Sequence, residues 1–155
     1  MSAPLQRLRQ RVEAELDEIA PMVIRAQTGW ETYRTLNNDL LLDSVALSLH
    51  GFYSGIERIF EEIATKLDRN LPGGAAWHKA LVQQMANEVR DIRPAVISPS
   101  SAKSLDEYRR FRHLVRNVYS YRLNPKKIEP LVASLPAVFS LVRQELVDFL
   151  RWLTN

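Results

Sequence analysis

The chain has 155 residues, 46% of them hydrophobic and 25% charged, which is enough apolar material for one domain (residues 1–155) with a substantial core. It has no cysteine, which excludes disulfides, thiol nucleophiles and cysteine-based zinc sites and fits a reducing compartment. His50, His78 and His113 show no metal-ligand spacing, so neither a metal nor another cofactor is expected. No apolar run approaches the roughly 20 residues needed to cross a bilayer, and Met1-Ser2-Ala3-Pro4 leads into charged sequence without an apolar signal region, so the expectation is a cytoplasmic protein with no membrane association.

The first predicted element carries Leu5, Leu8, Val12, Leu16, Ile19, Val23, Ala26 and Trp30 at helical steps, with Pro21 predicting a kink or break near Ala20. The second carries Leu41, Val45, Leu49, Phe52, Ile56, Phe60, Ile63 and Leu67, beside a row of small residues, Ser44, Ser48, Gly51 and Gly55. Helical glycine costs about 1 kcal/mol against alanine. Two on one face therefore indicate close approach by another helix, most simply within the chain, or by another subunit. Leu71-Pro72-Gly73-Gly74 breaks the pattern, and Trp77 to Ile92 reads as a short third helix ended by Arg93-Pro94. Ser98-Pro99-Ser100-Ser101 reads as a loop. Ser104 followed by Glu107 is a capping-box signature for a fourth helix running to about Tyr121, before Asn124-Pro125. The last helix carries Ile128, Leu131, Leu135, Val138, Val142, Leu146, Phe149, Leu150 and Leu153, with Pro130 expected in its first turn and Pro136 expected to bend it. No strand or hairpin pattern occurs, so the expected class is all-α, an up-and-down bundle of four to five helices.

Charge singles out the fourth element. Residues 103–127 carry eight Lys/Arg against Asp106 and Glu107, a net +6 in a chain whose total is +3. This concentration gives the chain its pI of about 9.4, and a polyanion such as RNA is its natural partner. On a helix, Leu105, Tyr108, Phe111, Val115 and Val118 form the expected buried stripe. Arg109, Arg112, His113, Arg116 and Asn117 take the flank and open side, with Tyr119 and Tyr121 as partial core. One reading of this face is simple solvation of charge. The other is a phosphate-gripping surface of Arg109, His113, Arg116 and Arg122, since the arginine fork matches phosphate oxygens and nearby rings can stack bases. Elsewhere, His50 and His78 read as structural. Glu57 reads as a surface acid or as a partner for Arg58 of another subunit or for Arg112.

Arg112, four residues, Asn117, any residue and Tyr119 resemble the HEPN ribonuclease signature, in which the position of Asn117 is histidine. The ordered set 52–60, 71–73, Trp77-His78, 93–97, 111–116 and Tyr119 resembles the HepT-like branch of that superfamily. The resemblance implies an all-α homodimer that cuts RNA, tRNA among the possible targets, without a metal. It implies a composite active site at the dimer interface and the role of toxin in a type VII-like pair with a minimal nucleotidyltransferase antitoxin. Carried over, Arg112 holds the scissile phosphate, Asn117 fills the imidazole position, and Tyr119 completes the site and is the residue that such an antitoxin AMPylates.

Asn117 changes the expected chemistry. Imidazole exchanges protons near neutral pH, whereas a carboxamide forms hydrogen bonds but does not titrate. General acid–base catalysis contributes about 10²- to 10⁴-fold, so the motif as it stands predicts an impaired nuclease. A non-catalytic RNA-binding or adaptor bundle is the alternative, and a protein that docks an acidic partner through its arginine row is a third. Five residues along a helix rotate by about 500°, leaving Arg112 and Asn117 roughly 140° apart, while Arg112 and Tyr119 nearly share a face. A composite site from one such helix then needs distortion or a two-fold axis.

Overall fold

The apolar steps of three and four residues become five α-helices in a computed structural model that describes residues 2–119 and 122–155. They are α1 (Ala3–Leu36), α2 (Leu40–Ile63), α3 (Trp77–Met85), α4 (Pro99–Arg116) and α5 (Pro125–Leu153). A π-helical turn, Ala64–Asp68, extends α2. Among the described residues there is no β-strand, only an isolated bridge between Val89 and Arg93. The predicted all-α class holds.

α2 is the central element and packs against each of the other four helices. Phe52, Tyr53, Ile56, Phe60 and Ile63 are fully buried on it, and α1 lies along it through Leu8, Val12, Leu16, Ile19, Val23 and Ala26. The small-residue row explains this close pairing. A methyl group at Gly55 would collide with Ile19, and one at Gly51 would stand 3.1 Å from the Met22 sulfur. The close approach is therefore made within the chain, by α1.

The internal prolines are accommodated without ending their helices. Of the kink or break expected near Ala20, the break does not occur: α1 continues through Pro21. Pro21 is exposed, so the carbonyl it leaves without a helical donor is on the side where water can serve, and the buried stripe passes uninterrupted. In α5, Pro136 removes the donor for the carbonyl of Val132, and the Gln27 side chain of α1 donates to that oxygen at 2.6 Å. Asn124 caps α5 and Pro125 starts it, so Pro130 falls in the second turn rather than the first. By length and composition α5 is the one described helix apolar enough to cross a membrane. Here its apolar stripe, Ile128 to Leu153, is buried against the bundle.

Two boundaries differ from the sequence reading. α3 ends at Met85 rather than Ile92. The segment after it is held by Arg93, which donates to both carboxylate oxygens of Asp68 at 2.6 and 2.7 Å and to the carbonyls of Gln84, Asn87 and Pro94. This fully buried fork satisfies backbone that has left the helix. α4 begins earlier than expected. Ser98 is the N-cap, its hydroxyl accepting from the Ser101 amide, and Pro99 takes the first helical position. The stretch Ser98-Pro99-Ser100-Ser101 is thus a helix start rather than a loop, and Ser104 lies within the helix.

Candidate active site

The inner face of α4 carries Leu105, Tyr108 and Phe111, as the periodicity predicts, and also Arg112. Leu105 and Arg112 are seven residues apart, about 20° short of two full turns, so they share a face. The expectation that Arg112 lies on the open flank is thus corrected: it is 7% exposed.

Arg112 does not enter the core alone. Its Nη1 donates to Glu57 Oε1 at 3.0 Å and its Nη2 to Glu57 Oε2 at 3.2 Å. Glu57 sits on α2 and is itself buried. The guanidinium carbon lies 4.8 Å from the centre of the Tyr53 ring, one turn before Glu57, and Ser54 Oγ is 3.4 Å from Nη1. The third member comes from α3: His78 Nδ1 is 2.8 Å from Glu57 Oε2 and 3.0 Å from Arg112 Nη2. The Trp77 ring lies against the His78 ring, centroids 3.8 Å apart and planes tilted by 32°. Three helices thus bring a guanidinium, a carboxylate and an imidazole into one cluster.

The surroundings are electrostatically tense. Burial holds the Tyr53 hydroxyl protonated well beyond the usual phenol range, the Glu57 carboxylate adds to this, and Arg112 opposes it. That hydroxyl has no hydrogen-bond partner among the described residues. Burial also pushes Glu61 above the usual carboxylate range, helped by Glu57. His50, whose Nδ1 is 3.5 Å from Ser54 Oγ, is held below the usual imidazole range by burial and then by Arg112, Arg116 and Arg58.

The other predicted site residues lie away from this cluster. α4 ends at Arg116, not near Tyr121. Asn117 is its C-cap, exposed, with Nδ2 donating to the His113 carbonyl at 2.8 Å. Arg112 and Asn117 therefore do not share a face, as the helical rotation predicts. Tyr119 follows the helix and is 69% exposed, so it is neither partial core nor aligned with Arg112 along a helix face. Tyr121 lies outside the described residues. Val118 is only half-buried. Arg109 is half-buried and tied to Asp106 at 2.6 Å, which removes it from the open basic surface. His113, Arg116 and Arg122 are exposed, the Arg122 guanidinium lying 5.9 Å from the Tyr119 ring centre. Beside them, Asp43, Leu47, His50, Val115, Arg116 and Leu123 line an open groove of about 410 Å³ between α2 and the end of α4. Among the described residues no cluster of three or more His, Asp or Glu side chains could hold a metal ion.

Glu57 and His78 are the site residues that sequence reading undervalued. Glu57 had a visible signal, an acid inside the apolar stripe of α2 and one turn from Tyr53. His78 falls within the Trp77-His78 pair of the family resemblance, but its partners depend on how α3 folds back over α2.

A family model for HepT-like proteins matches residues 44–153. The chain belongs to the HepT-like family. The matched region spans all of the Arg112 cluster, while the whole of α1, which packs along α2, precedes it. No curated protein and no solved structure matches this HepT-like chain.

Proposed function

We propose that this HepT-like chain is a metal-independent ribonuclease toxin of the HEPN type, acting as a homodimer and restrained by a nucleotidyltransferase antitoxin that modifies Tyr119. The observation that carries this reading is the setting of Arg112: a family-motif arginine at the meeting point of three helices, beside an imidazole. The exposed side chains of His113, Arg116 and Arg122 form the adjoining edge on which an RNA backbone lies. In this reading a phosphate takes over part of the Arg112 fork from Glu57, and the guanidinium stabilises the charge that develops at phosphorus. The groove along Leu47 and Val115 receives the second copy, which supplies a second Arg112 and a second basic edge. The exposure of Tyr119 suits enzymatic modification. Induced expression of the Asn117→His variant tests this reading. Growth arrest with loss of intact tRNA or mRNA supports it, and unimpaired growth with intact RNA overturns it.

Two observations favour the non-catalytic RNA-binding alternative: Glu57 already occupies the Arg112 fork, and Asn117 is engaged in capping α4. A binder retains RNA affinity that falls steeply with salt yet leaves RNA intact even with histidine restored at position 117.

A further inference from the structure

We infer that His78, oriented by Glu57, is the proton acceptor for RNA cleavage in this chain, taking the part that Asn117 cannot play; the inference rests on the ribonuclease reading above. The decisive geometry is at Nδ1. Glu57 Oε2 stands 2.8 Å from it and Arg112 Nη2 stands 3.0 Å from it. A carboxylate oxygen and a bare ring nitrogen at 2.8 Å would set lone pair against lone pair. A proton on Nδ1 turns that contact into a charge-assisted hydrogen bond. Arg112 carries no lone pair, so its 3.0 Å approach is a hydrogen bond only to a bare Nδ1. The shorter contact to the charged carboxylate sets the tautomer, and Nη2 then donates to the same Oε2, at 3.2 Å. With the proton on Nδ1 in the neutral ring, Nε2 carries the lone pair. No hydrogen bond among the described residues engages Nε2, and the His78 side chain is 28% exposed, so the base has access to solvent. A carboxylate fixing the tautomer of a histidine whose far nitrogen accepts a proton is a general catalytic arrangement. Here the same carboxylate also holds the arginine that would meet the phosphate, which places base and phosphate ligand within one cluster.

The step balances as follows. The 2′-hydroxyl gives its proton to His78 Nε2 while O2′ forms a bond to phosphorus and the P–O5′ bond breaks. The O5′ leaving group takes a proton from water, and the imidazolium returns its proton to solvent. The products are a 2′,3′-cyclic phosphate and a 5′-hydroxyl, with no oxidant or metal required. The charged groups facing His78 are Glu57 and Glu61 from α2 and Arg112 from α4, with Lys79 next to it on α3.

The test compares the unmodified chain with His78→Gln, Glu57→Gln and Asn117→His on bulk tRNA and total RNA, with circular dichroism establishing that each is folded. Slow cleavage by the unmodified chain, reduced about 10²- to 10⁴-fold in His78→Gln, supports the inference. Glu57→Gln, which removes the positioning carboxylate, is expected to displace the acidic limb of the pH–rate profile as well as lower the rate. Equal cleavage by the unmodified chain and His78→Gln overturns the role of His78. Cleavage by Asn117→His alone, with the unmodified chain inert, also overturns it and leaves the ribonuclease reading standing. Inert protein in every form sinks both. Independently of RNA, nitrogen-15 NMR of the imidazole is expected to show the proton on Nδ1 of His78, and a proton on Nε2 instead contradicts the inference.

Discussion

Glu57 and Arg112 meet as a two-pronged buried ion pair, 3.0 and 3.2 Å apart, between α2 and α4. Removing one member of such a pair leaves an uncompensated buried charge, which costs about 3–5 kcal/mol. Arg112→Ala is therefore expected to destabilise the fold by roughly that amount, unlike the substitution of an exposed arginine. Replacing both residues, as in Arg112→Met with Glu57→Leu, is expected to recover most of the loss. Urea unfolding of the two single variants and the double variant measures the coupling. Additive losses would show that the pair contributes nothing specific. Activity measurements on Arg112→Ala need a folding control for the same reason.

The two glycines facing α1 differ in what surrounds them. At Gly55 a methyl group meets the Ile19 side chain within a packed interface, so Gly55→Ala is expected to cost about 1–3 kcal/mol through overpacking. At Gly51 the nearest atom is the sulfur of Met22, at 3.1 Å, on a side chain that can move aside. The helix-propensity gain of about 1 kcal/mol then offsets much of the strain, and Gly51→Ala is expected to be close to neutral. Thermal unfolding of the two variants checks the ordering. Equal losses would indicate that α1 does not discriminate between the two positions.

Tyrosine burial sets the alkaline limit of stability. Tyr53 and Tyr108 both have pKa values raised above the ordinary 10.0, in each case first by burial. Above pH 10 the unfolded chain has lost protons that the folded chain still holds. Stability therefore falls as pH rises through that range. Tyr53→Phe and Tyr108→Phe should each blunt this loss, yet differ near neutral pH. The Tyr53 hydroxyl is buried without a partner, so Tyr53→Phe is expected to stabilise by about 1 kcal/mol. The Tyr108 hydroxyl donates to the Leu131 carbonyl at 2.7 Å, so Tyr108→Phe is expected to destabilise by about 1 kcal/mol. Denaturant titrations near pH 7 and above pH 10 separate the two. A stabilising Tyr108→Phe would contradict the assignment.

Much of the architecture was readable from the residues, because the apolar spacing in α1, α2 and α5 is regular and the small residues at Gly51 and Gly55 need a close neighbour. The failures have local causes. The Ser98-Pro99 pair reads as loop chemistry, although serine at the N-cap and proline at the first position also start helices. Ala86, Val89 and Ile92 keep the helical step after Met85, but Arg93, anchored by Asp68 on a distant part of the chain, takes the Asn87 carbonyl, and that anchor has no short-range signature. The charge of Arg112 argues for solvent. The three- and four-residue steps Leu105, Tyr108, Arg112 and Val115 would have placed it inside, where Glu57 makes burial tolerable. The cluster was thus legible only in part: the motif points to Arg112, while Asn117 lies outside it and Glu57 and His78 become partners of Arg112 only through the packing of α2, α3 and α4.

The most direct test of the account is RNA cleavage in vitro by purified Asn117→His protein, alongside the same protein carrying the additional change Arg112→Lys, each shown to be folded. Metal-free cleavage of bulk tRNA by the first, lost in the second, is the expected result, since a lysine retains charge but not the fork. Intact RNA in both, from folded protein, would contradict the claim that the Arg112 cluster is a ribonuclease site.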